Sequence, residues 1–141
     1  GRHTLTEEEI VGGARHADTI ALGAGPMDLH EAGGGTGIAL WTPEHPFEIP
    51  MRCLVPADIG GVLVTGRAMS ATRSANGGSR HMGTAMCLGE AAGVLATELI
   101  GQHGDTLPHE RVRAALRARG ALVSVDDALA ADTPADAFKA A

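Results

Sequence analysis

Tyrosine is absent from this chain of 141 residues, which carries only two phenylalanines and one tryptophan. Aromatic side chains bury about 150–250 Å² each, so a domain with so few fills its own core poorly. Twenty glycines add backbone entropy that folding must overcome. The composition reads as a piece that completes a larger core, with a free-standing alanine-rich helical domain as the alternative. Two cysteines, Cys53 and Cys87, are too few for a disulfide framework or a metal knuckle. Seven histidines are scattered without metal-ligand spacing, so no metal is expected. The most apolar stretch is interrupted by Glu90 and Glu98, and no membrane span is expected. No basic segment leads into an apolar one, so no secretory signal is expected, and the reducing cytoplasm is the expected compartment. Eleven basic against seventeen acidic residues leave a net charge of −6, which argues against a nucleic-acid surface.

What the chain does have is concentrated in residues 60–100. The run Gly-Gly-Val-Leu-Val-Thr-Gly-Arg at 60–67 reads as a buried parallel strand that stops abruptly. A polar, glycine-rich loop follows at 70–80, and then a long apolar helix over 81–100. Ala85, Gly89, Ala92, Gly93 and Ala96 recur on that helix at three- and four-residue spacing and form one smooth face. Strand, glycine loop and helix N-terminus together are a recurrent way of offering backbone N–H groups to an anionic or carbonyl-bearing ligand.

Elsewhere the signals are local. Thr6 and Glu9 form a capping box that starts a short helix at Glu7, ending near Gly12 and Gly13. Residues 20–22 and 38–41 suit strands, 33–37 is a loop by composition, and 47–55 runs extended with Pro50 restricting it to an edge or bend. Residues 56–60 form a turn. Glycine stops the long helix at 101–105, and a second helix follows Thr106, with Pro108 early and Gly120 at its end. Val112, Ala115 and Leu116 make its apolar stripe, with Arg111, Arg113, Arg117 and Arg119 facing out. From Asp126 the chain is Ala/Asp/Pro-rich and reads as a flexible tail. Gly23 and Gly25 neither follow a convincing strand nor precede a helix, so they are not a dinucleotide fingerprint.

Several motifs in order carry a resemblance. Phe-Glu-Ile-Pro-Met-Arg-Cys-Leu-Val-Pro (47–56), Val-Leu-Val-Thr-Gly-Arg-Ala-Met-Ser-Ala-Thr (62–72), Gly-Ser-Arg-His-Met (78–82) and Leu-Gly-Glu-Ala-Ala-Gly (88–93) look like the C-terminal part of FAD-dependent oxidoreductases with a glutathione-reductase-like FAD domain. Leu-Thr-Glu-Glu-Glu (5–9), Gly-Pro-Met-Asp-Leu-His (25–30) and the stretch 116–122, similar to the family's last helix, extend the likeness over roughly residues 1–123. The family's N-terminal dinucleotide-binding strand, glycine loop and helix are missing from this sequence. The resemblance implies an α/β fold: the last strand and flavin-facing helix of a Rossmann-like FAD domain, joined to part of a β-rich substrate domain and incomplete without a partner polypeptide. Residues 1–57 would belong to the substrate side, 58–105 to the FAD domain, 106–124 to the C-terminal helix and 125–141 to the tail.

By the same resemblance Met82, Gly83 and Thr84, at the start of the long helix, face the pyrimidine edge of the flavin. Reduced flavin carries negative charge there, and a helix N-terminus offers about +0.5 charge and free N–H donors. Gly66 and Arg67 pass the ribityl chain and pyrophosphate, Ser70 and Thr72 are further donors, and Arg80 binds a substrate carboxylate or the flavin. His30, Arg52 and His81 are the catalytic candidates on the substrate face; Asp28 is an acidic neighbour of His30. Cys87 reads as a buried small hydrophobe and Cys53, beside Arg52, as a candidate reactive thiol. The implied function is hydride or electron transfer between FAD and a small organic substrate, with a larger subunit or chain segment holding the adenine half. A non-catalytic subunit that stabilises a catalytic partner, and a binding module for a small anion, are the alternatives.

Overall fold

The computed structural model describes residues 1–30, 38–102 and 105–131. The chain opens with an extended segment and helix α1 (Glu7–Val11), whose capping box is complete: Glu9 N donates to Thr6 Oγ1, and Thr6 N to Glu9 Oε2 at 2.8 Å. Strands β1 (Thr19–Gly23), β2 (Met27–His30), β3 (Ile38–Trp41) and β4 (Phe47–Pro50) follow. They form two separate antiparallel pairs, β1 with β4 and β2 with β3. The strands expected at 20–22 and 38–41 are present. The extended run expected over 47–55 lasts only to Pro50, after which Met51–Leu54 winds into a 3₁₀ turn.

The central parallel strand expected at 60–66 is not formed. Residues 62–65 have no regular secondary structure, Val62 is exposed, and Val64 N finds one backbone acceptor, Leu54 O, at 2.9 Å. An apolar run becomes a strand only by pairing, and no described strand lies beside this one. The chain then turns at Gly66–Ala68 and, where a glycine-rich loop was expected, forms helix α2 (Arg73–Ser79). Thr72 caps it, its hydroxyl accepting from Ala75 N. Two glycines in a helix are unfavourable in isolation, and packing explains them. A Cβ at Gly77 would lie 2.8 Å from the Asp28 carbonyl oxygen, so only glycine lets α2 sit on the backbone of β2.

Helix α3 (Met82–Leu99) is the long helix the sequence announces. Thr84, Leu88, Ala91 and Leu95 point inward at helical spacing onto β1 and helix α4 (His109–Arg117), which adds Val112 and Leu116. Ile20, Ile49, Met51, Leu54 and Leu5 complete one continuous core. The small-residue face expected of α3 is divided: Ala85 and Ala92 are half-buried, whereas Gly89, Gly93 and Ala96 join Met82, Met86 and Ile100 on an exposed side. Cys87, expected to be buried, is exposed as well. The stretch 116–122 is not a helix of its own, because α4 ends at Arg117. The expected tail instead begins as helix α5 (Val125–Ala130), capped by Ser124 and holding Val125 and Ala128 inside; residues 132–141 lie outside the described part, as does the loop expected at 33–37. Among the described residues no helix is long and apolar enough to cross a membrane.

Candidate functional site

Helices α2 and α3 meet at Arg80 and His81, and this junction gathers five of the residues singled out in the sequence. Arg80 reaches back to β2, where its guanidinium pairs with the Asp28 carboxylate. His81 lays its ring over Gly25: a Cβ there would fall 2.1 Å from His81 Cδ2. Its Nε2 sits 2.8 Å from the Pro26 carbonyl oxygen, an acceptor only, so that nitrogen carries the proton. With the ring so engaged, no side chain caps the N-terminus of α3. The first-turn amides of an α-helix have no intrahelical acceptor, and those of Met82, Gly83 and Thr84 remain as donors. Met82 is 84% exposed and a Cβ at Gly83 would meet nothing within 4 Å, so the end of the helix is open. Thr84 faces the core instead.

The second group lies on the turn that packs against both helices. Gly66 adopts a positive φ of 61°, and Arg67 next to it is exposed, without an ion pair among the described residues. The Arg67 carbonyl accepts from Asn76 Nδ2 at 3.1 Å, which ties this turn to α2. The hydroxyls of this group are already engaged: Ser70 Oγ lies 2.9 Å from Thr4 Oγ1, and Thr72 caps α2. Of the catalytic candidates whose side chains are described, only His81 is at the helix junction. Arg52 belongs to a different cluster, where Nε and Nη2 grip both oxygens of Asp18 at 2.9 and 3.1 Å. Burial pushes the Asp18 carboxyl up, but the hydrogen bonds and charge of Arg52 outweigh it and hold the group below its ordinary range. The backbone of His30 pairs opposite Ile38 in β3; its side chain lies outside the described part.

Cys53 is buried, and burial drives its thiol up to about 12, so it is not a reactive thiolate near neutral pH. A thiol reagent at pH 7 should therefore modify Cys87 alone in the native protein and reach Cys53 only after denaturation. Equal labelling of both in the native state would contradict this placement.

Two clusters had no clear signal in the sequence. Glu48 is buried, yet collects donors from His16 N, Thr19 Oγ1, Val125 N and Arg15 Nη1 at 2.8, 2.7, 3.1 and 3.2 Å. A single acid inside the apolar run Phe-Glu-Ile-Pro was the one hint. His3, Glu9 and His16 also converge, although their sequence spacing matches no ligand pattern.

Comparison with known families settles what this architecture belongs to. The model of a family described as FAD dependent oxidoreductase matches residues 1–117, from the first residue to the end of α4. The chain is a member of that family. Its cofactor is FAD, and a flavin-linked redox role follows. No curated protein and no solved structure gives a match. The residues present suit such a group: uncapped amides at an open helix end can face a carbonyl edge, and Arg67 is an exposed cation for a phosphate.

Proposed function

We propose that this chain is the flavin-facing C-terminal portion, or small subunit, of an FAD-dependent oxidoreductase acting on a small organic substrate. The observation that carries the reading is the open, uncapped N-terminus of α3 within a chain matched to the family. FAD supplies the hydride- or electron-accepting chemistry when bound. The chain's own part is to orient and tune. Amides of Met82, Gly83 and Thr84 donate toward the pyrimidine edge, and Arg67 pairs with a phosphate. Arg80, braced by Asp28, presents positive charge beside the site, while His81 holds the helix start in place through Pro26. Residues 1–57 serve the substrate side and 58–105 the flavin side, packed around one shared core. The exposed apolar side of α3, with Met82, Met86 and Ile100, supports a partner polypeptide that carries the dinucleotide-binding segment. The working compartment in this reading is the cytoplasm.

Gly83→Asp tests it. The position is open, so the side chain fits, and an acid in a first turn suits the helix. Its negative charge opposes the charge that appears on reduction. A helix-terminus interaction is worth about 0.3–2 kcal/mol, so the potential of the bound flavin should fall by roughly six to forty millivolts for a two-electron couple. A redox titration of the protein assembled with its partner polypeptide measures it. An unchanged potential with flavin fully bound, or no flavin absorbance in the wild-type assembly, would overturn the assignment.

A further inference from the structure

His3, Glu9 and His16 each present one ligand atom, and the three atoms lie within 4.8 Å of one another. They come from three different pieces: the start of the chain, α1, and the segment between α1 and β1. Glu9 Oε1 stands 2.9 Å from His3 Nε2 and 3.8 Å from His16 Nε2. The other carboxylate oxygen, Oε2, is held by Thr6 N at 2.8 Å, which fixes the direction in which Oε1 points. His16 is anchored through its backbone N–H, which donates to Glu48 Oε2 at 2.8 Å, and His3 through its N–H to Arg52 O at 3.3 Å.

The 2.9 Å approach of Glu9 Oε1 to His3 Nε2 accounts for only part of this arrangement. The His16 side chain is 9% exposed, and its Nε2 is buried without a hydrogen-bond partner, as is that of His3. A polar atom desolvated and left without a partner is unfavourable, whereas a cation between the three groups satisfies both imidazoles at once. With ligand bonds of 2.0–2.2 Å, donor atoms around a tetrahedral ion stand about 3.4 Å apart, and the two Glu9 separations straddle that value.

We infer that His3, Glu9 and His16 form a binding site for one first-row divalent cation of the Zn²⁺ or Fe²⁺ class. Two imidazoles and one carboxylate are borderline-soft donors that suit these ions over Mg²⁺ or Ca²⁺. The ion clasps the start of the chain to α1 and to the turn leading into β1. A fourth position remains for water. The inference is independent of where the flavin lies.

The full chain, purified with whatever partner and flavin accompany it, is analysed for bound metal, stripped with a chelator and titrated with Zn²⁺ or Co²⁺ alone. One ion per chain should bind saturably, with a visible tetrahedral Co²⁺ spectrum and a higher thermal midpoint. Loss of one ligand should weaken binding by about 100-fold or more, as even outer-sphere changes reach 10–100-fold. His16→Ala and His3→Gln should each show this, while His109→Gln, whose histidine pairs with Glu110 elsewhere, should bind as the wild type does. His3 is 23% exposed, so its variant keeps the comparison open if His16→Ala does not fold. Absence of saturable uptake by the wild type, or binding by a folded ligand variant within tenfold of it, would overturn the site.

Discussion

Glu48→Ala should lower folding stability by about 3–5 kcal/mol, the range expected when several buried donors lose one acceptor together. The carboxylate is 4% exposed and joins the turn at His16, strand β1 at Thr19 and the start of α5 at Val125. Alanine removes both carboxylate oxygens, so the N–H groups of His16 and Val125 lose this buried partner, while the Thr19 hydroxyl keeps the His16 carbonyl. The ion pair with Arg15 adds little, because that side chain is half exposed. Against a typical stability of about 5–15 kcal/mol the loss is large, and urea denaturation of the purified protein would measure it.

The same residue gives the protein an acid limit. Burial pushes the Glu48 carboxyl up from its ordinary value of 4.5, but the donors from His16, Thr19, Val125 and Arg15 outweigh that and leave it lowered. Asp18 behaves alike from 3.8, through Arg52. A folded-state value below the unfolded one means the contribution is complete above the ordinary range and is lost as pH falls through the folded value. The contribution of these two carboxylates should thus be complete near neutrality and decline progressively below about 4.5. Glu48→Gln should show a shallower decline. A variant of unchanged stability and unchanged acid slope would show that Glu48 does not hold these elements together.

Gly77→Val should have the second large effect, and it reaches the functional site. Its Cβ would stand 2.8 Å from the carbonyl oxygen of Asp28 and 3.2 Å from its nitrogen, both backbone atoms that cannot swing aside. Helix α2 must then lift from β2, an overpacking cost of about 1–3 kcal/mol or more. Arg80 and His81 follow α2 directly, so the Arg80–Asp28 pair and the start of α3 move with it. A displacement near 1 Å at a positioned site can reduce turnover on the order of 100-fold, so activity should fall further than stability alone explains. Gly89→Ala is the contrast: nothing lies within 4 Å of its Cβ, and the helix should gain about 0.5–1 kcal/mol. If Gly77→Val matched Gly89→Ala in stability and turnover, the close contact between α2 and β2 would not exist in solution.

The sequence by itself determined the elements whose causes lie within one turn of chain. Thr6 and Glu9 announce α1 because both halves of a capping box are local. The long apolar run over 81–100 announces α3, though not the face it buries, and Val112 with Leu116 announces α4. The ordered motifs at 47–56, 62–72, 78–82 and 88–93 also carried the family, since linked motifs survive where single glycines say little. Tertiary structure decided whatever depends on a neighbour distant in sequence. Residues 62–65 look like a strand, but a strand exists only by hydrogen-bonding to another, and none of the described strands lies beside them. Gly77 and Gly78 look like loop residues, yet they sit in a helix because the missing side chains let α2 rest on β2. Glu48 finds its donors up to 77 positions away, and His3, Glu9 and His16 meet only after α1 and the following turn have folded back. Local spacing encodes backbone conformation through short-range sterics and caps; the pairing of buried polar groups is set by which surfaces the core brings together.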